Sequence, residues 1–187
     1  MKAIARYFRE RFPLAVFGPV CLLLTAAAFW SVTNVSVPRL AAALLLGIAL
    51  VVQFRLWDDL EDRTHDRTTH PTRVLVNAPA EPFRVLLVVL TAIAIALSAS
   101  QQEALAASLA LTASGWCAYR VARRRISMNG WRFGLLPLKY PGFVTVMALS
   151  LGDVIPVRLA VAAATTYVCA SGYELLHDSP ARVGGAS

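Results

Sequence analysis

Five of the 11 acidic residues fall within nine consecutive positions: Asp58, Asp59, Glu61, Asp62 and Asp66, in the run LWDDLEDRTHDRTTHP. On a helix, Asp59, Asp62 and Asp66 stand at i, i+3 and i+7, which puts three carboxylates on one face. Like charges stacked in this way repel, and a counter-ion relieves the repulsion. Mg²⁺ suits the site, because it is a hard cation bound by one or two carboxylates together with waters and substrate phosphates. A second pair, Glu174 and Asp178 in YELLHD, is spaced i, i+4 and again shares a helical face. Ionisable residues on helices near a membrane are costly and point to function. If both clusters meet at one membrane face, they offer enough oxygen ligands for two metal ions bridging a diphosphate. The competing reading of the first run is a solvated helix end whose acids pair with Arg55, Arg63 and Arg67 in surface ion pairs worth little. The competing reading of the second is a helix end reaching lipid headgroups.

Carboxylates at these positions need helices to carry them, and the composition supplies such helices. Of 187 residues, 57% are hydrophobic and only 16% charged, with a net charge of +7. Soluble domains carry about 25% charged residues. Disorder is excluded, since it requires low hydrophobicity. Three cysteines, Cys21, Cys117 and Cys169, lie inside apolar stretches and make no disulfide scaffold. Six stretches approach the roughly 20 apolar residues that cross a bilayer as a helix. They cover about 14–32, 40–57, 83–99, 104–119, 133–151 (broken by Pro137, Pro141 and Gly142) and 154–176. The first follows a basic segment but exceeds the apolar core of a signal peptide, so it reads as an uncleaved span. The predicted fold is an all-α integral membrane protein, with about six transmembrane helices in one bundle. Residues 1–178 form a single domain, with a motif loop at 58–82 and a second polar loop at 120–132. A flexible tail is expected at 179–187.

The basic residues set the expected orientation. Sixteen of the 18 lie at the N-terminus, in or beside the two long loops, or in the tail; only Arg39 and Arg158 lie on the opposite side. The positive-inside rule puts both termini and both long loops in the cytoplasm. In such a chain a basic surplus signals orientation, so no nucleic-acid partner is expected. Arg123, Arg124 and Arg125 read as headgroup and topology residues. His65, His70 and His177 do not cluster with cysteines as a zinc site requires.

These motifs resemble those of the UbiA-type membrane prenyltransferases. The first motif of that family, NDxxDxxxD at the end of the second span, is matched by Asp58-Asp59-x-x-Asp62-x-x-x-Asp66, with Asp58 for the leading Asn. The second, DxxxD at the end of the sixth span and commonly preceded by Tyr, is matched by Tyr173-Glu174-x-x-x-Asp178, with Glu174 for Asp. Lys139 in PLKYP looks like the family's basic residue near the fifth span. In HPTRVL, Arg73 is followed by Val74 where the family often has Pro.

The resemblance covers nearly the whole chain and implies a UbiA-like bundle around a central cavity. It further implies Mg²⁺-dependent transfer of an isoprenyl group from an isoprenyl diphosphate to an aromatic ring or another lipophilic acceptor in the membrane. Two Mg²⁺ ions would be held by Asp59, Asp62, Asp66, Glu174 and Asp178, with Asp58 adjoining. Lys139, Arg73 and Arg67 would bind the diphosphate. Trp57, Tyr173 and Tyr140 would face the prenyl cation, although Trp and Tyr also mark membrane interfaces. Family members usually have nine spans against six here, so a homo-oligomer could complete the cavity. The alternatives are a non-enzymatic polytopic protein that binds a cation or partner, a UbiA-type terpene cyclase, and a CDP-alcohol phosphotransferase. The last lacks its Gly and Ala-Arg signature here.

Overall fold

The computed structural model describes residues 2–120 and 135–177, apart from the side chains of Glu174, Leu176 and His177. The described residues form α1 (Lys2–Arg11), α2 (Leu14–Trp30), α3 (Val37–Thr69), α4 (Val74–Asn77), α5 (Glu81–Ser98), α6 (Gln102–Arg120), a 3-10 turn (Leu136–Leu138), α7 (Lys139–Leu151) and α8 (Pro156–His177). Each of the six apolar stretches is helical over most of its described length; Phe133 and Gly134 of the fifth lie outside the described residues. Two helices, α3 and α5, are long and apolar enough to cross a membrane. The pair α1 and α2, bent by 73° at its break, would make a third, and Leu136–Leu151 is apolar but shorter. The bend is local chemistry: Pro13 disfavours helical geometry at Phe12 and caps α2.

The outside of the bundle is apolar. Leu14, Leu22, Leu23, Leu45, Val88 and Val168 are among many large hydrophobic residues facing outward. A patch of this extent on a soluble protein would be an aggregation surface; lipid is its natural solvent. Several hydroxyls are satisfied within their own helices. Thr25 donates to the Cys21 carbonyl (2.8 Å), Ser98 to Ala94 (2.7 Å) and Thr166 to Ala162 (2.7 Å). That is the pattern expected where no water is at hand. Cys21 is buried, whereas Cys117 and Cys169 lie on the exposed exterior.

α7 is the most enclosed helix. It packs against α2, α3, α6 and α8, and Phe143, Val144, Val146, Met147, Ala148 and Leu151 are all buried. The middle of the bundle is therefore filled, and the cavity described below lies to one side. Small residues allow the close approach. A Cβ added at Gly142 would come within 2.5 Å of Leu111 Cδ1 on α6, and one at Gly115 within 2.9 Å of Phe54 Cε1 on α3.

The two ends of the bundle differ. At one end the α2–α3 and α7–α8 turns are tied together. The Thr33 amide donates to Asp153 (3.1 Å), the Ile155 amide donates to Ser31 (2.8 Å), and Val32 bridges Val154. Gly152 takes φ +150° at that turn, a geometry L side chains rarely adopt. Arg39 and Arg158 both sit there; Arg39 reaches the Leu151 carbonyl (3.4 Å) and Arg158 lies 5.9 Å from the Trp30 ring. The other end carries the first acidic run.

α3 is longer than its apolar part. It runs twelve residues past Trp57 to Thr69, so the first half of the expected 58–82 loop is helix. Its 33 residues extend about 50 Å. Pro71 ends it, and the His70 amide closes the last turn on Asp66 (2.8 Å). Around this extension a second small core forms from Tyr7, Leu56, Val74, Leu75, Ala78 and Phe83. Arg63 fastens α4 to it by donating to the carbonyls of Leu75 (3.0 Å) and Ala78 (2.6 Å).

Candidate functional site: the acidic end of α3 and its neighbouring cavity

The extension of α3 presents its acids to different neighbours. Asp58 faces α7, where Lys139 donates to its Oδ2; Asp58 is buried and Lys139 largely so. The Asp58 Oδ1 atom is buried without a hydrogen-bond partner, as is Arg55 Nε one turn earlier. Asp59 faces α1. Arg11 grips it with two parallel bonds, Nε to Oδ2 at 2.9 Å and Nη2 to Oδ1 at 2.6 Å. The Tyr7 hydroxyl donates to Oδ2 at 2.8 Å. A planar guanidinium fits a carboxylate in this way, which makes the contact both strong and directional. Burial, reinforced by the Asp59 carboxylate, pushes the Tyr7 hydroxyl well above its ordinary range, so it stays protonated and donates. Asp66 is buried and accepts from Arg73 Nη1 at 2.5 Å. Asp62 is half-buried, one turn before Asp66 on the same helix.

The competing reading of the acidic run paired these acids at the surface with Arg55, Arg63 and Arg67. The partners in the structure are mostly others: Arg11, Lys139 and Arg73. Arg55 does approach Asp59, at 3.7 Å. Arg63 turns to backbone carbonyls instead, and Arg67 is exposed. Tyr7 and Arg11 are residues of the site that sequence reasoning missed. Their i, i+4 spacing on a short helix beside a proline is the available signal, but a basic N-terminus before an apolar span reads first as orientation.

Beside the Asp58–Lys139 pair lies a cavity of ≈220 Å³ between α3, α6 and the start of α7. Phe54, Leu111, Gly115 and Tyr119 form its apolar walls and Lys139 lies at its edge. An aromatic chain continues from it. Trp57 stacks obliquely on Tyr119 (5.2 Å between centroids) and on Phe54 (5.7 Å), and Phe54 meets Phe143 edge-on (5.2 Å). Tyr140 packs on Phe143 (5.6 Å), and its ring lies 5.6 Å from Lys139 Nζ. Of the three predicted aromatic residues, Trp57 and Tyr140 therefore join this cluster. Tyr173 is 53% exposed and faces outward. The cavity depends on Gly115. Gly115→Leu would drive atoms into Phe54 and Trp57, whose nearest ring carbons lie 2.9 and 3.3 Å from an added Cβ. Overpacking of this kind costs about 1–3 kcal/mol. We expect a lowered Tm in detergent for Gly115→Leu and little change for Gly18→Ala, where an added Cβ meets nothing within 4 Å.

The second motif is only partly described. α8 packs antiparallel to α7 from the tied turns, so its C-terminus returns to the end of the bundle that carries Asp58 and Lys139. It also touches the 3-10 turn just before Lys139. Glu174 is in the last two turns of α8. Asp178 lies outside the described residues, as do the 121–134 segment with Arg123, Arg124 and Arg125 and the tail.

Among the described residues no group of three or more His, Cys, Asp or Glu is arranged to hold a metal ion. The donor chemistry at the end of α3 still suits one kind of ion. Asp58 stands two turns before Asp66 and faces α7, but Asp62 and Asp66, one turn apart on α3, offer hard oxygen atoms. They fit a Mg²⁺ whose remaining ligands are waters and phosphate oxygens, not one enclosed by protein alone. Comparison with protein-family models, with curated proteins and with solved structures finds no match for this chain.

Proposed function

We propose that this chain is a multi-pass membrane prenyltransferase of UbiA type. In this reading six spans place both termini and the acidic end in the cytoplasm, and an isoprenyl diphosphate binds where α3 and α8 end and α7 begins. The single observation that carries the reading is the pairing of Asp58 with Lys139 across 81 residues, beside a mainly apolar cavity that Phe54 and Tyr119 help to line. A buried cation at the mouth of an apolar, aromatic cavity matches a ligand with an anionic head and a hydrocarbon tail.

The roles follow from the geometry. Lys139 is to exchange its bond to Asp58 for one to a phosphate oxygen, and Arg73 is placed to do the same from Asp66. Asp62 with Asp66 would hold one Mg²⁺, and Glu174 with Asp178 a second. When bound, the metal neutralises charge that grows on the departing diphosphate. The allylic C–O bond breaks and its electron pair leaves with the diphosphate. The allylic carbon then bonds to the acceptor, which gives up a proton. Phe54, Trp57 and Tyr119 would face the allylic cation and keep water from it. Asp59 takes a positioning role, since α1 already occupies both its oxygens.

One observation favours a second reading. Asp58, Asp59 and Asp66 each already have a basic partner. Such a network could be purely architectural, in a polytopic membrane protein without enzymatic activity. Lipid mass spectrometry separates the two readings. Membranes from cells making the wild-type chain should contain a lipophilic product heavier by one prenyl chain, absent with Asp62→Ala at equal protein level. Identical lipid profiles would favour the architectural reading.

A further inference from the structure

The basic stripe of α1 is used by none of the roles above. Lys2, Arg6 and Arg9 recur at i, i+4 and i+7, so they lie on one face of the helix, and all three are exposed. Among the described residues none of them meets a carboxylate. Tyr7 and Arg11 lie on the opposite face and hold Asp59. The single acid of α1, Glu10, accepts from the Val74 amide at 3.1 Å and so is turned towards α4.

The surroundings say what the stripe meets. α1 is bent 73° from α2 and therefore lies across the direction of that apolar helix. Leu14, the first residue of α2, is 85% exposed, so the apolar exterior begins where α1 ends. A helix lying across that border, with its inner face packed on protein and three free cations on its outer face, is at headgroup depth.

We propose that α1 is an anionic-lipid site. Lys2, Arg6 and Arg9 bind the phosphates of acidic headgroups, and the helix thereby holds Arg11 and Tyr7 on Asp59. The partner is an anionic bilayer surface, recognised by charge and not by one lipid species. Each basic residue near such a surface strengthens association about five-fold, so three together amount to roughly a hundredfold. The proposal stands without the prenyltransferase reading, because it needs only α1, Asp59 and a membrane.

Hydrogen exchange on the full chain in nanodiscs tests it. Amide exchange across residues 2–11 should slow on the order of a hundredfold when phosphatidylglycerol is added to phosphatidylcholine. The slowing should fade at high salt, disappear in K2Q/R6Q/R9Q and persist in K2R/R6K/R9K. Unchanged exchange in α7 reports that each variant is folded. Equal exchange in the two lipid compositions would overturn the proposal, and so would slowing that survives K2Q/R6Q/R9Q. Equal slowing by inorganic phosphate in phosphatidylcholine alone would also overturn it, since the site would then take a soluble anion.

Discussion

Lys139→Met destabilises the protein by about 3–5 kcal/mol, because it strands the Asp58 carboxylate in a buried site. The pair was formed against the desolvation of both charges, so removing one partner leaves the other charge unopposed. Asp58→Leu alone does comparable damage by leaving the ammonium of Lys139 buried. The double variant Asp58→Leu/Lys139→Met recovers most of the loss, since an apolar pair of similar volume is often neutral in such a place. A double-mutant cycle on unfolding free energies in one detergent measures this. Additive losses would mean that the two residues do not share their energy, against the contact seen between α3 and α7.

Asp59→Ala is the second large effect, at about 3 kcal/mol, and it differs in kind. It deprives Arg11 of a two-bond partner and leaves the Tyr7 hydroxyl buried without an acceptor. The loss falls on α1, whose remaining ties are Ala3, Ile4, Tyr7 and Phe8 in the small second core and the Val74 amide on Glu10. Limited proteolysis should cut near Pro13 in Asp59→Ala under conditions that spare the wild type. Tyr7→Phe should lie between the two, because it removes one neutral donor and keeps the guanidinium pair. Equal protection of α1 in wild type and Asp59→Ala would show that the clamp adds nothing.

Helix positions were largely legible in the sequence because apolar runs of bilayer length are a strong signal. The orientation of those helices was not legible. α2 is apolar all round, so its inward and outward faces cannot be told apart by polarity. For the same reason nothing in the run at 139–151 announces that α7 fills the middle. What sets its place is close packing at Gly142 against Leu111 and at Gly47 against Met147, which is a matter of shape and not of hydropathy. The extension of α3 to Thr69 was legible only in part. The i, i+3, i+7 spacing assumes a helix, but the stabilisers of that helix, Arg11, Arg73 and Lys139, are up to 81 residues away. The site shows the same division. Asp58, Asp66, Lys139 and Arg73 stand out singly in the sequence. That Lys139 belongs to Asp58 and Arg73 to Asp66, while Asp59 belongs to α1, is tertiary information.

The prenyltransferase reading turns on whether the acidic end of α3 accepts a diphosphate through Mg²⁺. The most direct measurement is binding of a non-hydrolysable isoprenyl thiolodiphosphate to the purified chain in lipid nanodiscs, titrated with and without Mg²⁺. The reading predicts saturable binding that requires Mg²⁺ and is lost in Asp62→Ala and in Asp178→Ala, with both variants still folded. Absence of binding to the wild type at millimolar Mg²⁺, or binding indifferent to Mg²⁺ and to both substitutions, would contradict it.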